Sequence, residues 1–288
     1  MKEPQSRAPC RSELEVYSVP SRFSLPLFAA LVALAWTGLP GFAQAAELSA
    51  EDIIRKSAEL RTVSNSKQVL VMEIFDKMGR SRVRKIASKI KEEGGVAKSH
   101  VEFIEPEDVN GVQFLSIQNP GGEDRQWLYM PASGMLNQIS GSSRRGSFMG
   151  SDFSFEDLSV GQVEDGAHSL LPDATLTVEG ASLTVHVVES LPKAELKSAY
   201  TRILTYIDKG NLMPRQVEFF DRKGNKVKRM QILEIKDRDG VLVPMRTRME
   251  NLKRGTRTEV RIEEVQINLP ADQLPDYLFT PESLQSEG

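Results

Sequence analysis

Cysteine is all but missing from this chain. The single one, Cys10, stands near the N-terminus, ahead of a long uncharged stretch. Beyond it the chain can close no disulfide and offers no thiol as nucleophile or metal ligand. Histidine is nearly as scarce. The three residues His100, His168 and His186 are isolated, with no second ligand at the spacing of a zinc site. His186 alternates with Val185 and Val187, which predicts a surface position on the polar side of a strand. The patterns G-x-S-x-G and H-E-x-x-H, the phosphate loop and the dinucleotide glycine run are absent as well. No catalytic residue, cofactor or metal site is therefore expected, and the chain does not read as an enzyme. A surplus of one charge is also lacking: the net charge is −3, which gives no basic footprint for bulk nucleic-acid binding.

What is present begins with a targeting pattern. Phe23 to Ala46 carries no charge, and Leu27 to Trp36 is an unbroken apolar run preceded by Arg22. Gly38, Pro40 and Gly41 break any helix at its end, and Ala43-Gln44-Ala45 has the small-residue form of a cleavage site. That order predicts a secretory signal over residues 1–45 and a mature chain from Ala46. The run is short beside the roughly 20 apolar residues of a membrane span, which leaves an uncleaved anchor as the alternative. No cysteine follows the cleavage site to carry a lipid, so the mature chain is not read as a lipoprotein itself.

The rest reads as one domain, residues 46–288, with no break in composition. Ser49 followed by Glu51 and Asp52 forms an N-cap with an acidic first turn, predicting a helix to about Arg61. Strand signals then dominate. Segments of two-residue periodicity recur from Lys67–Asp76 through Thr256–Asn268, separated by turns such as Lys77-Met78-Gly79-Arg80 and Asp221-Arg222-Lys223-Gly224-Asn225. Met245, Thr247 and Met249 face one way and Arg246, Arg248 and Glu250 the other, as in a strand with one wet face. About ten or eleven strands are expected on this reading of turn spacing. No long helices separate them, so the sheet should be antiparallel. Leu274–Leu284 reads as a covering segment.

Two groups of residues invite a functional reading. Asp152, Glu156 and Asp157 could hold a hard cation through oxygen. A capped helical turn, with Ser151 or Asp152 as N-cap, explains them more simply. Phe148, Met149, Phe153 and Phe155 sit among glycines and serines in a loop region. Loops run over surfaces, so these side chains need something to bury against. They either plug the sheet as core or flank an apolar cavity, where Met and aromatic rings make an adaptable wall.

The runs Trp127-Leu128-Tyr129-Met130-Pro131, Gln138-Ile139-Ser140-Gly141-Ser142-Ser143 and Ser147-Phe148-Met149-Gly150-Ser151-Asp152-Phe153 resemble the signature of one branch of the LolA-like outer-membrane lipoprotein-sorting family. The resemblance implies a curved antiparallel sheet, an unclosed barrel, covered by an N-terminal helix and short helical segments. It implies a periplasmic carrier or chaperone whose apolar hollow holds the acyl chains of lipoproteins or lipids on their way towards the outer membrane. Trp127, Tyr129, Phe148, Met149, Phe153 and Phe155 are then the candidates for cavity lining or rim. The alternative it implies is an accessory protein of an RND-type inner-membrane transporter, bound through the same apolar loop.

Overall fold

The computed structural model describes residues 48–61, 65–120, 122–159 and 166–285; the expected signal segment lies outside them. The helix α1 (Ala50–Arg61) begins where the sequence predicts. The Asp52 N–H donates to Ser49 Oγ at 3.1 Å, and that hydroxyl donates to Asp52 Oδ2 at 2.7 Å. One backbone donor of the first turn is thereby satisfied by a cap.

Among the described residues thirteen strands follow in a single antiparallel sheet that does not close into a barrel. They are β1 (Ser66–Phe75), β2 (Ser81–Glu93), β3 (Val96–Glu105), β4 (Gln113–Ile117), β5 (Arg125–Met130) and β6 (Met135–Ile139) in the first half. The second half holds β7 (Gly166–Val178), β8 (Ala181–Pro192), β9 (Arg202–Asp208), β10 (Pro214–Phe220), β11 (Lys226–Arg238), β12 (Val241–Asn251) and β13 (Thr256–Gln266). The count exceeds the ten or eleven expected from turn spacing. Strand β7 shows in the sequence only at its end, as Leu176 and Val178, because few of its residues are buried. Each half is a meander of hairpins, and β1 pairs with β13 to join them, so the order runs β6 to β1, then β13 down to β7.

Two edges remain. One is β6, only five residues long. The other is β7, where the register shifts between Leu171 and Ala174 around Pro172. The turns between β1 and β2, β12 and β13, and β10 and β11 lie side by side at one end of the sheet. Those after β2, β7 and β11 lie at the other end.

The connection from β6 back towards β7 has to span the sheet, and it does so over the inner face. Ser147 bridges Ser154 in a tight loop. From it Phe148, Phe153 and Phe155 enter the main core with Phe103, Phe114, Phe219 and Met249. The opposite face of β4 and β5 is covered by the C-terminal segment: Leu274, Leu278, Phe279 and Leu284 pack on Leu115, Ile117, Trp127 and Tyr129. This is the covering role expected of that segment. Strand β4, sandwiched between the two layers, is buried at all five positions.

Candidate functional site

The inner face is not filled evenly. Under β3 and β4 the aromatic loop closes it, whereas β9 to β12 face a cavity of about 280 Å³. Its floor follows from register. Thr205 of β9 lies opposite Val217 of β10, Val217 opposite Met230 of β11, and Met230 opposite Met249 of β12. Residues directly opposite in neighbouring strands point to the same face, so these four form one row across four strands. Ile203 and Phe219, paired with each other, form a second row beside it. Ile54 and Ser57 of α1 wall one side, and Leu196 and Tyr200 of the β8–β9 connection another.

The rim is polar. Arg144, Glu156, Asp157 and Ser159 come from the crossing connection, and Asp124 from the β4–β5 loop. Asp157 accepts from Lys228 Nζ at 2.5 Å, from the Tyr200 hydroxyl at 2.8 Å and from the Ser154 N–H at 2.7 Å. Burial, and then the adjacent Asp157 carboxylate, push the Tyr200 phenol far above its ordinary pKa, so the ring stays a neutral donor. Glu156 accepts from the Ser198 hydroxyl and from the Ala199 N–H. Arg144 is buried and donates to Ser159 Oγ at 2.9 Å, while its Nε has no partner. Gln126 donates to the Phe155 carbonyl at 3.0 Å, and its Oε1 also has no partner. On the far side His168 Nδ1 lies 2.8 Å from Ser190 Oγ.

The carboxylates do not converge. Asp152 turns away from the cavity to β13, where the hydroxyls of Thr256 and Thr258 donate to it. The capped helix expected here is a 3-10 turn, Glu156–Leu158, that starts after Phe155 with no side-chain cap from Ser151 or Asp152. The reason is that the Asp152 carboxylate finds strand hydroxyls to accept from. Among the described residues no group of three or more His, Cys, Asp or Glu side chains is placed to hold a metal ion. His186 is half-buried and contacts Asp173 at 3.2 Å.

The six residues picked out as lining or rim separate into two places, and none of them lines this cavity. Phe148, Phe153 and Phe155 are buried in the inner core, with Met149 packed against it. Phe148 is ringed by Phe114, Phe155 and Phe103, with centroids 5.2, 5.6 and 5.7 Å away. Trp127 and Tyr129 point to the other face of the sheet, under the C-terminal segment, because their neighbours Gln126 and Leu128 take the inward positions of β5. The residues that this loop sends to the cavity are Glu156, Asp157 and Ser159. Floor residues such as Met230 and Met249 show in the sequence as strand alternation, which gives a face and not a neighbour.

An unclosed antiparallel sheet with an apolar recess under a crossing loop defines a LolA-like architecture. A family model described as that of an uncharacterized protein matches residues 95–286, and the chain belongs to this LolA-like family. A DUF1329 family protein from Desulfovibrio piger is 25% identical, with a TM-score of 0.75 over 82% of this chain and 97% of its own. A domain from Vibrio parahaemolyticus, described as an outer membrane lipoprotein-sorting protein domain, is 28% identical, with a TM-score of 0.75 over 82% of this chain and 98% of its own. A LolA superfamily protein from Nitrosomonas europaea shares the fold at 18% identity, with a TM-score of 0.63 over 82% of this chain and all of its own. No curated protein matches the chain.

Proposed function

We propose that this protein is a non-catalytic periplasmic carrier that takes the acyl chains of lipoproteins or lipids into the cavity over β9 to β12. The observation that carries the reading is the row Thr205–Val217–Met230–Met249 with Ile203 and Phe219 beside it: a mainly apolar floor beneath a polar rim. Ligand pockets commonly hold about 300–1,000 Å³ and combine an apolar lining with a few placed polar groups. At about 280 Å³ the recess fits part of an acyl chain. Each methylene removed from water contributes roughly 0.8 kcal/mol. Ten of them give a gross gain of about 8 kcal/mol, enough for micromolar binding before the costs of ordering are taken off. Arg144, buried at the rim with its Nε unpartnered, is placed to meet the polar end of such a molecule. The Vibrio parahaemolyticus domain is described by a lipoprotein-sorting role, which supports the same reading here, as does the secretory pattern ending at Ala45.

In this reading Phe148, Met149, Phe153 and Phe155 back the cavity. They anchor the loop that sets Glu156, Asp157 and Ser159 at the rim. Their burial also takes away the exposed apolar loop through which an RND-type transporter would be bound, so the carrier reading is preferred.

The test uses protein recovered from the periplasm, its intact mass first checked against a start at Ala46. A fluorescent fatty acid is titrated into the parent and into Met230→Trp, whose indole would fill the floor. Overpacking of this kind costs about 1–3 kcal/mol of stability, and probe affinity should fall at least tenfold. Equal binding by the two proteins would rule the cavity out as the lipid site.

A further inference from the structure

Three adjacent hairpin turns at one end of the sheet, 76–80, 221–225 and 252–255, share an unusual composition. They and the strand ends beside them carry Lys77, Arg80, Arg82, Arg222, Lys223, Lys253 and Arg254, all exposed. The acidic residues of these turns are already engaged. Asp76 accepts from Arg80 Nε at 2.7 Å and from two backbone N–H groups of its own turn. Asp221 accepts from Lys253 Nζ at 2.7 Å and from the Lys223 and Asn225 N–H groups, and so ties two of the turns together. Among the described residues Lys77, Arg82, Arg222, Lys223 and Arg254 have no ion pair. Arg80, Arg82 and Arg254 border a recess of about 340 Å³ beside Gly150, which the Asp76 and Asp152 carboxylates also line, so the cations face solvent from a mixed-charge rim.

The apolar residues at the same tips are wet. Met78 is 66%, Val83 53% and Leu252 43% exposed. Nothing in a hairpin turn requires a bare methionine or leucine. At the other end of the sheet the turns hold Glu92, Glu93, Glu179, Asp237 and Asp239 mixed with Lys209 and Arg238, and Glu93 and Glu179 are paired with Lys98 and Arg246. The basic surplus is local to these three turns, since Glu105, Glu107 and Asp108 of the neighbouring β3–β4 connection are exposed at the same end and the net charge is −3. A cluster of unpaired cations of this kind steers the patch towards a negative surface.

We propose that this end docks on an anionic phospholipid bilayer. The lysines and arginines meet lipid phosphates, and Met78 and Leu252 dip into the interface. Charge complementarity selects a polyanion, and the exposed apolar tips among the charges select a bilayer over a water-filled polymer. Each Lys or Arg near such a surface strengthens binding roughly fivefold, and apolar tips add to it.

The experiment is sedimentation of the secreted protein with vesicles of phosphatidylcholine alone, and with vesicles of roughly three parts phosphatidylcholine to one part phosphatidylglycerol. Binding should need the anionic lipid and weaken with salt. The triple variant Lys77→Glu, Lys223→Glu, Arg254→Glu should lose more than about twentyfold in partitioning, with an unchanged circular dichroism spectrum. Its fatty-acid affinity should match the parent's, since none of the three borders the acyl cavity, and that separates this surface from the carrier reading. Met78→Ser with Leu252→Ser should lose at least about fivefold. Undiminished binding by the triple variant overturns the proposal. So does full binding by the Met78/Leu252 pair combined with equally tight binding to heparin, which would make this end a general polyanion site.

Discussion

Lys228 and Asp157, 71 residues apart in sequence, meet at 2.5 Å with both side chains almost out of water. The pair pins the crossing connection to β11 at the edge of the cavity, and the Tyr200 hydroxyl binds the second carboxylate oxygen. An ion pair in such a place is weak evidence of net stabilisation, because both charges had to be desolvated. Its asymmetry is what matters. Asp157→Ala leaves the Lys228 ammonium buried without its partner, which costs about 3–5 kcal/mol. Chemical denaturation checks the value. Lys228→Met in the same background should recover much of the loss, because it removes the stranded charge.

Phe148 provides a second measurement. A ring facing a lipid-filled hollow would cost about 1–2 kcal/mol on truncation, since few protein atoms touch it. The ring is 2% exposed and surrounded by three other rings. Phe148→Ala should therefore cost about 3–5 kcal/mol, as a core phenylalanine does. The denaturation midpoint decides between the two ranges. A small loss of stability with a large loss of probe binding would return this ring to the cavity wall.

Much of the fold was legible in the residues. Alternation and turn chemistry located the hairpins, Ser49 marked the start of the helix, and the apolar spacing of Leu274–Leu284 announced a cover. Alternation assigns a side chain to a face, but it does not say which strand lies alongside. The pairing of β1 with β13 and the row from Thr205 to Met249 are products of that missing information. The loop rings were ambiguous for the same reason. Phe148 is core because β3 and β4 happen to lie beneath it. Asp152 was misread as a cap because Thr256 and Thr258, which it prefers, are about a hundred residues away in the chain.

The C-terminal cover makes its own prediction in acid. Hydrogen bonds from Lys91 and Lys98, at 2.8 and 3.1 Å, hold the Asp276 carboxylate below its ordinary pKa of 3.8. A carboxyl group lowered by folding contributes stability that is complete above its unfolded pKa and is lost as pH falls through the folded one. The tie should therefore weaken only below the ordinary aspartate range. Amide exchange in residues 274–285 should rise there ahead of exchange in β4. Asp276→Asn should show the faster exchange at neutral pH and lose this acid step. Identical profiles for parent and variant would remove the tie from the account.

The edges of the sheet have a consequence for a crowded compartment. An unpaired strand is a template, and a second copy of the protein presents a strand ready to fit it. One edge here, β6, runs for only five residues. The other is long, but Pro172 has no N–H to donate, and the register shift beside it bends the ladder where a neighbour would dock. Replacing that proline would give the edge a longer uninterrupted row of donors. A sheet left unclosed has to refuse its own kind, and on the longer edge a ring without an amide hydrogen works against pairing with a second copy.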